Sequence, residues 1–304
     1  MSHRKIAVID LGTNTFHLLI ACLQDSGDFE VVVRKRIFVK LADEGIDQLG
    51  EASMQRGLGA LELFREILQE HGIASNEVSA VGTAALRTAS NGPAYLCEIS
   101  SKTGIHIDII DGLREAHLIY LGVRKIWSPA RFPVIIMDIG GGSVEFIIAD
   151  QTKILWANSY PIGVSVLFRR FHRADPISQA ECRKLRKFLH HEIKDLITAL
   201  ERYEPIILIG ASGTFDVLAD LLHISPEQLY AEVTSEAVIP ILDPLTKMSI
   251  AERNAHPQIP SSRVDMIVVA ILLVQEIIHI GDFSHIGISR HALKEGLIAE
   301  QGGA

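Results

Sequence analysis

The spacing of apolar and polar residues changes repeatedly between a strand period and a helix period along the chain. The opening segment VIDLGTNTFHLLIA places a short polar turn between two apolar strands, and VIIMDIGGGSVEFIIAD, residues 134–150, repeats that plan. Apolar residues at helical spacing predict helices at residues 51–71, from about Gly112, and from Ser178, where Ser178 and Glu181 form a capping box. Strands that alternate with helices in this way predict an α/β fold.

The repeated strand–turn–strand segment indicates two related α/β domains. A length of 304 residues suits two domains, and WSPARFP, with two prolines, is the best internal boundary by composition. We expect a first domain at residues 1–123 and a second at 124–304, with the last helix, about 291–304, free to pack back on the first. Ligands often bind in clefts between domains, so we expect the active site in an interdomain cleft.

Composition narrows the class of protein. Hydrophobic residues make up 48% of the chain and charged residues 22%, which is ample for a large core. The net charge of −8 argues against a general nucleic-acid binder. The three cysteines stand far apart, as expected for free thiols in a reducing compartment, and the apolar stretch at 266–281 is too short to span a bilayer, which predicts a buried helix. We expect a cytoplasmic protein with no nucleic-acid or membrane partner.

Two glycine-containing turns, one in each copy of the repeat, are candidates for binding phosphate. Backbone amides in such a turn can point the same way and form a concave anion site, and glycine lets a phosphate approach the backbone closely. Hydroxyl groups at Thr13, Thr15 and Ser143 add further donors. A third loop, GASGT at 210–214, lies between a predicted strand and a helix N-terminus, which is also an anion site.

Each of the two turns follows a strand that ends in an aspartate, Asp10 or Asp138. A carboxylate beside a phosphate repels it, so a cation must compensate. The natural candidate is Mg²⁺, which takes one or two carboxylates together with phosphate oxygens. A hydrolase also needs a base, and the candidates are Glu115, at a predicted helix start, and Glu145, inside an apolar strand where an unpaired carboxylate is costly.

Turns of the types D-x-G-[ST]-x-[ST] and D-x-G-G-G-S, with a later glycine-rich loop, resemble the phosphate motifs of the ribonuclease H-like domains in the actin, Hsp70 and sugar-kinase superfold. Five segments follow in the order and spacing of the exopolyphosphatase/guanosine pentaphosphate phosphohydrolase (Ppx/GppA) family: VIDLGTNTFHLLIA, VGTAALRTASNG, IIDGLREAHLIYLGV, VIIMDIGGGSVEFII and LIGASGT. The resemblance covers essentially the whole chain and implies a hydrolase of phosphoanhydrides. The chain is similar to the short, two-domain form of the family, without the helical region that long members carry after this module.

The resemblance also implies roles for the matching positions. It gives Glu115 as the general base that activates water, Asp138 and Glu145 as acidic residues of catalysis and metal binding, and Asp10 as a metal or water anchor. The implied cofactor is Mg²⁺ or another divalent cation, and Arg87 matches an arginine that lies near the phosphates. The positions that match phosphate contacts are Gly12, Thr13, Asn14 and Thr15 in the first turn and Gly140, Gly141, Gly142 and Ser143 in the second. From the third loop we add Gly210, Ser212, Gly213 and Thr214.

The chain departs from the family pattern at Arg114, where a glutamate is usual, and an arginine there is compatible with an anionic substrate. Inorganic polyphosphate is the first expected substrate, with RKRIFVK (34–40) and LFRRFHR (167–173) as candidate basic tracks, and pppGpp is the second. A catalytically weak sensor of polyphosphate or (p)ppGpp stays open, and so does a kinase of the same superfold, which the retained Glu115 disfavours. The chain is expected to act alone or as a homodimer.

Overall fold

The structure of the protein is a computed structural model that describes residues 4–25, 27–127 and 132–303. The strands are β1 (Arg4–Leu11), β2 (Thr15–Leu23), β3 (Phe29–Phe38), β4 (Ser79–Gly82), β5 (Ile107–Ile109), β6 (Val134–Ile139), β7 (Val144–Ala149), β8 (Ile154–Tyr160), β9 (Ile207–Ala211), β10 (Tyr230–Thr234) and β11 (His285–Ser289). The helices are α1 (Glu51–Glu70), α2 (Ala84–Thr88), α3 (Gly92–Thr103), α4 (Gly112–Arg124), α5 (Val164–Phe171), α6 (Gln179–Glu192), α7 (Lys194–Tyr203), α8 (Gly213–Leu221), α9 (Ser235–Leu245), α10 (Ile250–Ala255), α11 (Ile267–Gly281) and α12 (Leu293–Gln301).

The chain forms two compact units, and each contains its own mixed sheet. The first unit comprises the residues up to Lys125 together with those from Ala292 onward, and the second comprises Ile126–His291. Helix α12 therefore belongs to the first unit although it follows the second in the chain. Of the segment WSPARFP, residues 128–131 lie outside the described residues.

The sheet of the first unit has the strand order β3-β2-β1-β4-β5. Strands β1, β2 and β3 pair antiparallel, whereas β4 and β5 continue the sheet parallel to β1. Its core is built from alternate residues of the strands and the apolar face of α1, among them Ile9, Phe16 and Phe64, which are fully buried. Helix α12 packs against α4 and β1.

The sheet of the second unit repeats this arrangement and adds one strand. Its order is β10-β11-β9-β6-β7-β8, in which β6, β7 and β8 pair antiparallel, β9 and β11 run parallel to β6, and β10 is antiparallel at the edge. Read from β8, the shared part has the same order and directions as the first sheet. This confirms the prediction of an α/β chain with two related ribonuclease H-like sheets.

The apolar stretch near the C-terminus forms α11, which is buried along most of its length, as predicted. Nearly every side chain from Ile267 to Ile278 packs in the core of the second unit. In the part of the chain that the structure describes, no helix combines the length and apolarity needed to cross a bilayer.

Several local features differ from the sequence prediction. The long helix from Ser178 is interrupted at Ile193, whose φ of −103° and ψ of 26° separate α6 from α7. Its predicted capping box is confirmed, because the Ser178 hydroxyl accepts from the Glu181 amide and the Glu181 carboxylate accepts from the Ser178 amide. Helix α9, with Pro240 and Pro244 inside it, and strand β10 were not predicted.

Candidate functional site

The two glycine turns have the same geometry. In the first, the Gly12 amide donates to the Thr15 carbonyl at 3.1 Å, and in the second the Gly140 amide donates to the Ser143 carbonyl at 3.0 Å. A Cβ atom added at Gly12 would lie 3.0 Å from the Thr15 carbonyl oxygen, and one added at Gly140 would lie 2.9 Å from that of Ser143. Both turns therefore favour glycine at the position that follows the strand.

The backbone of the second turn presents its amides on one side. Its carbonyl oxygens accept hydrogen bonds from backbone amides at the start of α5, at 2.9–3.2 Å. The amide of Val164 donates to Gly140, that of Ser165 to Gly141 and that of Gly163 to Gly142. The C=O and N–H of a planar trans peptide point in opposite directions. The amides of Gly141, Gly142 and Ser143 consequently point away from α5, which is the arrangement of an anion-binding nest.

The first turn is held in a similar way and contains a buried hydroxyl group. The Leu41 amide donates to the Thr13 carbonyl at 2.8 Å, and the amides of Val39 and Lys40 donate to the Asn14 carbonyl. Thr13 is 3% exposed, and within the described residues its Oγ1 atom has no hydrogen-bond partner. A buried hydroxyl without a partner costs about 1–3 kcal/mol, so an oxygen-bearing ligand at this turn would offset that cost.

The third loop lies at the same sheet edge as the second glycine turn. Strand β9 runs parallel to β6 with Ala211 beside Asp138, so the loop that follows β9 begins next to the turn that follows β6. Ser212 in this loop has φ +69° and ψ −176°, a conformation that is essentially restricted to glycine and costs about 1–3 kcal/mol. Such strain is concentrated at functional sites.

An arginine that sequence reasoning missed lies over the third loop. A Cβ atom built on Gly213 would lie 1.6 Å from Nη2 of Arg263, so the guanidinium occupies the space that a side chain at this position would need. Arg263 follows Gly213 by 50 positions. A single arginine between two helical segments carries no local signal, and only the fold brings it to the loop.

The carboxyl ends of β1, β4 and β5 lie at one edge of the first sheet, and three predicted residues lie at or after these strand ends. Asp10 is the penultimate residue of β1, Arg87 lies in α2 after β4, and Glu115 lies in the first turn of α4 after β5. Nη1 of Arg87 donates to Glu115 Oε2 at 3.2 Å and to the Ile110 carbonyl at 2.7 Å. Ligands in open α/β sheets bind at this end of the strands.

The second sheet places Asp138 and Glu145 directly opposite each other on β6 and β7. Asp138 is 6% exposed and Glu145 is 1% exposed, and directly opposed residues have Cβ atoms about 5 Å apart. Ser159 on β8 donates its hydroxyl to Glu145 Oε1 at 2.7 Å. Two buried carboxylates side by side repel each other unless a proton or a cation compensates.

These donors fit a hard divalent cation. Across residues 4–25, 27–127 and 132–303, no cluster of three or more His, Cys, Asp or Glu side chains forms a metal site on its own. Mg²⁺ is commonly held by one or two carboxylates together with phosphate oxygens of the substrate. The pair Asp138 and Glu145 offers that donor set.

Arg114 is engaged within the first unit. Its Nη1 and Nη2 atoms donate to Glu300 Oε1 and Oε2 at 2.6 and 2.5 Å. From the sequence, Arg114 was interpreted as compatible with an anionic substrate. In the structure its guanidinium instead pairs with a carboxylate that lies 186 residues further along the sequence. In the two candidate basic tracks, Arg34 pairs with Glu295 at 3.4 Å, and the guanidinium of Arg170 lies over the ring of Phe188 at 4.1 Å.

The repeated sheet with glycine turns at its strand ends defines the class of the protein as an α/β chain with the actin-like superfold. The chain matches the model of the Ppx/GppA phosphatase family over residues 20–302, and it belongs to that family. The resemblance seen in the five sequence segments is thereby confirmed.

Relatives match along nearly their full length. A Haemophilus influenzae protein is 31% identical over 301 residues, which cover 97% of this chain and 90% of that protein. Exopolyphosphatase 1 of Mycobacterium tuberculosis is 28% identical over 305 residues, covering 97% of this chain and 87% of its own. The crystal structure of an exopolyphosphatase from Cytophaga hutchinsonii has a TM-score of 0.93 at 34% identity and covers 99% of this chain and 98% of that one.

Proposed function

We propose that the protein is an exopolyphosphatase that hydrolyses the terminal phosphoanhydride bond of inorganic polyphosphate and releases orthophosphate. The observation that carries the proposal is the placement of Glu115 beside Arg87, at the sheet edge where Asp10 lies near the end of β1 and the first glycine turn follows. Similarity to proteins named as exopolyphosphatases supports the choice of substrate.

The phosphate groups of the substrate would be bound by the glycine-rich segments. In the turn at Gly140–Ser143, backbone amides would donate to phosphate oxygens, since the carbonyl groups of this turn are held by α5. In the other turn, the buried Thr13 hydroxyl would gain the partner that it lacks among the described residues. At the loop before α8, Arg263 adds positive charge beside Gly213, which suits a polyanion.

Asp138 and Glu145 would hold a divalent cation, Mg²⁺ by preference, and Asp10 would hold a cation or a water molecule at its own strand end. When bound, the cation neutralises charge on the phosphate oxygens and on the leaving group. Ser159 fixes the orientation of the Glu145 carboxylate through its 2.7 Å hydrogen bond. This bond keeps one carboxylate oxygen in place.

Glu115 would act as the general base. A water oxygen attacks the terminal phosphorus atom, the proton of that water passes to the Glu115 carboxylate, and the bridging P–O bond breaks with its electron pair leaving on the shortened chain. Arg87 fixes the carboxylate through the 3.2 Å contact to Oε2. This contact restricts the Glu115 side chain to the rotamer in which the carboxylate can accept the proton. Positioning and charge neutralisation dominate the acceleration of phosphoryl transfer.

The proposal is tested by measuring phosphate release from polyphosphate, pppGpp and ATP, each with Mg²⁺. We expect release from polyphosphate by the wild type and a loss of ~10²–10⁴-fold in kcat for Glu115→Gln, the usual contribution of a general base. Glu98→Gln, which alters a glutamate of α3 paired with Lys102, is the matched control and should retain activity.

Each other outcome identifies a different function. Faster turnover of pppGpp than of polyphosphate would make guanosine pentaphosphate hydrolysis the main activity. Tight binding of polyphosphate or ppGpp with equal background rates in wild type and Glu115→Gln would indicate a sensor. Consumption of ATP that depends on an acceptor would indicate a kinase.

A further inference from the structure

Helices α4 and α12 approach each other at backbone distance. A Cβ atom on Gly122 would lie 2.2 Å from the Ala292 carbonyl oxygen, and one on Gly296 would lie 1.8 Å from the Leu118 carbonyl oxygen. No side chain fits at either position. The two helices are therefore in direct main-chain contact through a glycine on each.

The contacts continue at intervals of four residues on both helices. Along α4 the positions are 122, 118 and 114, while the facing positions on α12 are 292, 296 and 300. Residues four apart lie on one face of a helix, so the two helices run antiparallel with these faces together. The pair Arg114–Glu300 ends this row of contacts at the N-terminus of α4, next to Glu115.

Arg114 joins α12 to the local structure around the base. Its amide donates to the Asp111 side chain at 2.7 Å, and the Glu115 amide donates to the Asp111 carbonyl at 3.0 Å. Its guanidinium holds both oxygens of Glu300 with the planar fork that matches a carboxylate. The hydrogen bond from Arg114 lowers the pKa of Glu300, and Glu300 in turn raises the pKa of Arg114, so both groups are ionised at neutral pH.

The helix dipoles of α4 and α12 do not favour the pair. Arg114 lies in the first turn of α4 and Glu300 in the last turn of α12. A cation at a helix N-terminus and an anion at a C-terminus are each opposed by the helix dipole. The reverse pair would satisfy both dipoles, so the dipoles do not account for this arrangement of charges.

We infer that Arg114 and Glu300 are positioning residues, which hold the N-terminal turn of α4 on α12 so that the carboxylate of Glu115 keeps its catalytic orientation. The inference rests on the proposed role of Glu115. It gives the last helix of the chain a function in the first unit, where α12 fixes the helix that carries the base. A displacement of about 1 Å at a reacting group can lower a rate by ~10²-fold.

The test compares Glu300→Ala, Arg114→Ala and the charge-reversed double variant Arg114→Glu/Glu300→Arg with the wild type. For each single variant we expect kcat on polyphosphate to fall by ~10-fold or more with KM within about twofold, as for an interaction needed only in the transition state. The double variant should recover kcat to within about threefold, because it restores the pair with opposite polarity. Glu98→Gln is the matched control, since the side chains of Glu98 and Glu300 are 35% and 36% exposed and each pairs with a cation.

The outcomes separate the inference from the function on which it rests. A wild type that releases no phosphate would overturn the proposed function and this inference together. An active wild type with unchanged kcat in Glu300→Ala, or a double variant no faster than the single ones, would overturn the inference alone. Thermal unfolding of each variant is measured alongside, and if Glu300→Ala does not fold, Glu300→Gln, which keeps the side-chain shape, takes its place with the same expected fall in kcat.

Discussion

A single nitrogen atom of Arg87 donates hydrogen bonds both to the Glu115 carboxylate and to a backbone carbonyl oxygen. Nη1 of Arg87 lies 2.7 Å from the Ile110 carbonyl oxygen and 3.2 Å from Glu115 Oε2. Ile110 immediately follows β5 and Glu115 lies in the first turn of α4. The guanidinium thus connects the end of the strand to the start of the helix, and it fixes the direction of the Glu115 carboxylate, whose side chain is only 10% exposed.

Replacement of Arg87 is therefore expected to lower turnover strongly. Arg87→Lys keeps the charge, but the shorter lysine side chain does not place its ammonium group where Nη1 lies between Ile110 and Glu115, so we expect kcat to fall by ~10–100-fold, and Arg87→Ala to fall further. The measurement is steady-state phosphate release from polyphosphate. Arg65→Ala removes a half-buried arginine that donates to the Lys102 carbonyl in the same unit and should leave kcat unchanged. Equal kcat values for Arg87→Lys and the wild type would contradict the positioning role.

Removal of the divalent cation is expected to abolish phosphate release. Asp138 and Glu145 are opposed and buried on neighbouring strands, and loss of either carboxylate weakens a site built from few protein ligands. For Asp138→Asn we expect the Mg²⁺ concentration for half-maximal activity to rise by ~10-fold or more, in titrations after chelation. Asp150→Asn, at the opposite end of the same hairpin, is the control. An unchanged Mg²⁺ requirement in Asp138→Asn would place the cation elsewhere.

The features that the sequence could predict are those encoded by neighbouring residues. The glycine turns are local, because the strand, the aspartate and the glycine lie within a few residues, and the structure gives Gly12 and Gly140 the same geometry. The capping box at Ser178 was predicted for the same reason. The duplicated opening also predicted two related sheets, because each copy contains the three antiparallel strands that begin a sheet.

The features that the sequence could not predict depend on residues that are far apart or on conflicting local signals. Arg263 reaches Gly213, and Glu300 reaches Arg114, only after the chain has folded. Helix α9 was missed because Pro240 and Pro244 argue against a helix, while α6 and α7 read as one helix because the interruption at Ile193 involves no glycine or proline. Tertiary packing decides such cases over local propensity.

The contact between Gly163 and the second glycine turn predicts a sharp effect of a small substitution. A Cβ atom at Gly163 would lie 2.3 Å from the Gly141 carbonyl oxygen and 2.5 Å from the Gly142 carbonyl carbon. Because these are backbone atoms, Gly163→Ala must displace the turn, at a cost of about 1–3 kcal/mol in the free energy of unfolding. We expect KM for polyphosphate to rise as well, since the displaced amides belong to the proposed phosphate site.

The matched control for this substitution is Gly59→Ala in α1. No atom lies within 4 Å of a Cβ added at Gly59, and alanine stabilises a helix interior by about 0.5–1 kcal/mol relative to glycine. Denaturant unfolding should therefore shift in opposite directions for the two variants. A Gly163→Ala variant as stable as the wild type would show that the turn can move to accommodate a methyl group. The close contact would then not restrict residue 163 to glycine.

The capping box of α6 predicts how stability depends on pH in the acid range. The Glu181 carboxylate accepts from the Ser178 hydroxyl at 2.6 Å, from the Ser178 amide at 2.8 Å and from the amides of Arg173 and Ala174 at 2.9 and 3.1 Å. These bonds, the Ser178 hydroxyl foremost, lower the pKa of Glu181 from 4.5 to about 2. A carboxylate whose pKa is lower in the folded than in the unfolded state stabilises the fold above the unfolded value, and this contribution is lost as the pH falls towards the folded value.

Glu181→Gln should therefore lower the free energy of unfolding at pH 7, and the difference from the wild type should shrink between about pH 5 and pH 2. Because the carboxylate is partly exposed and screened by solvent, we expect a difference of about 1 kcal/mol at pH 7. The measurement is urea unfolding at a series of pH values in constant salt, with Gln179→Ala in the same helical turn as the control. A difference that stays constant from pH 7 to pH 2 would mean that the carboxylate charge does not stabilise α6, and that Glu181 acts through its shape alone.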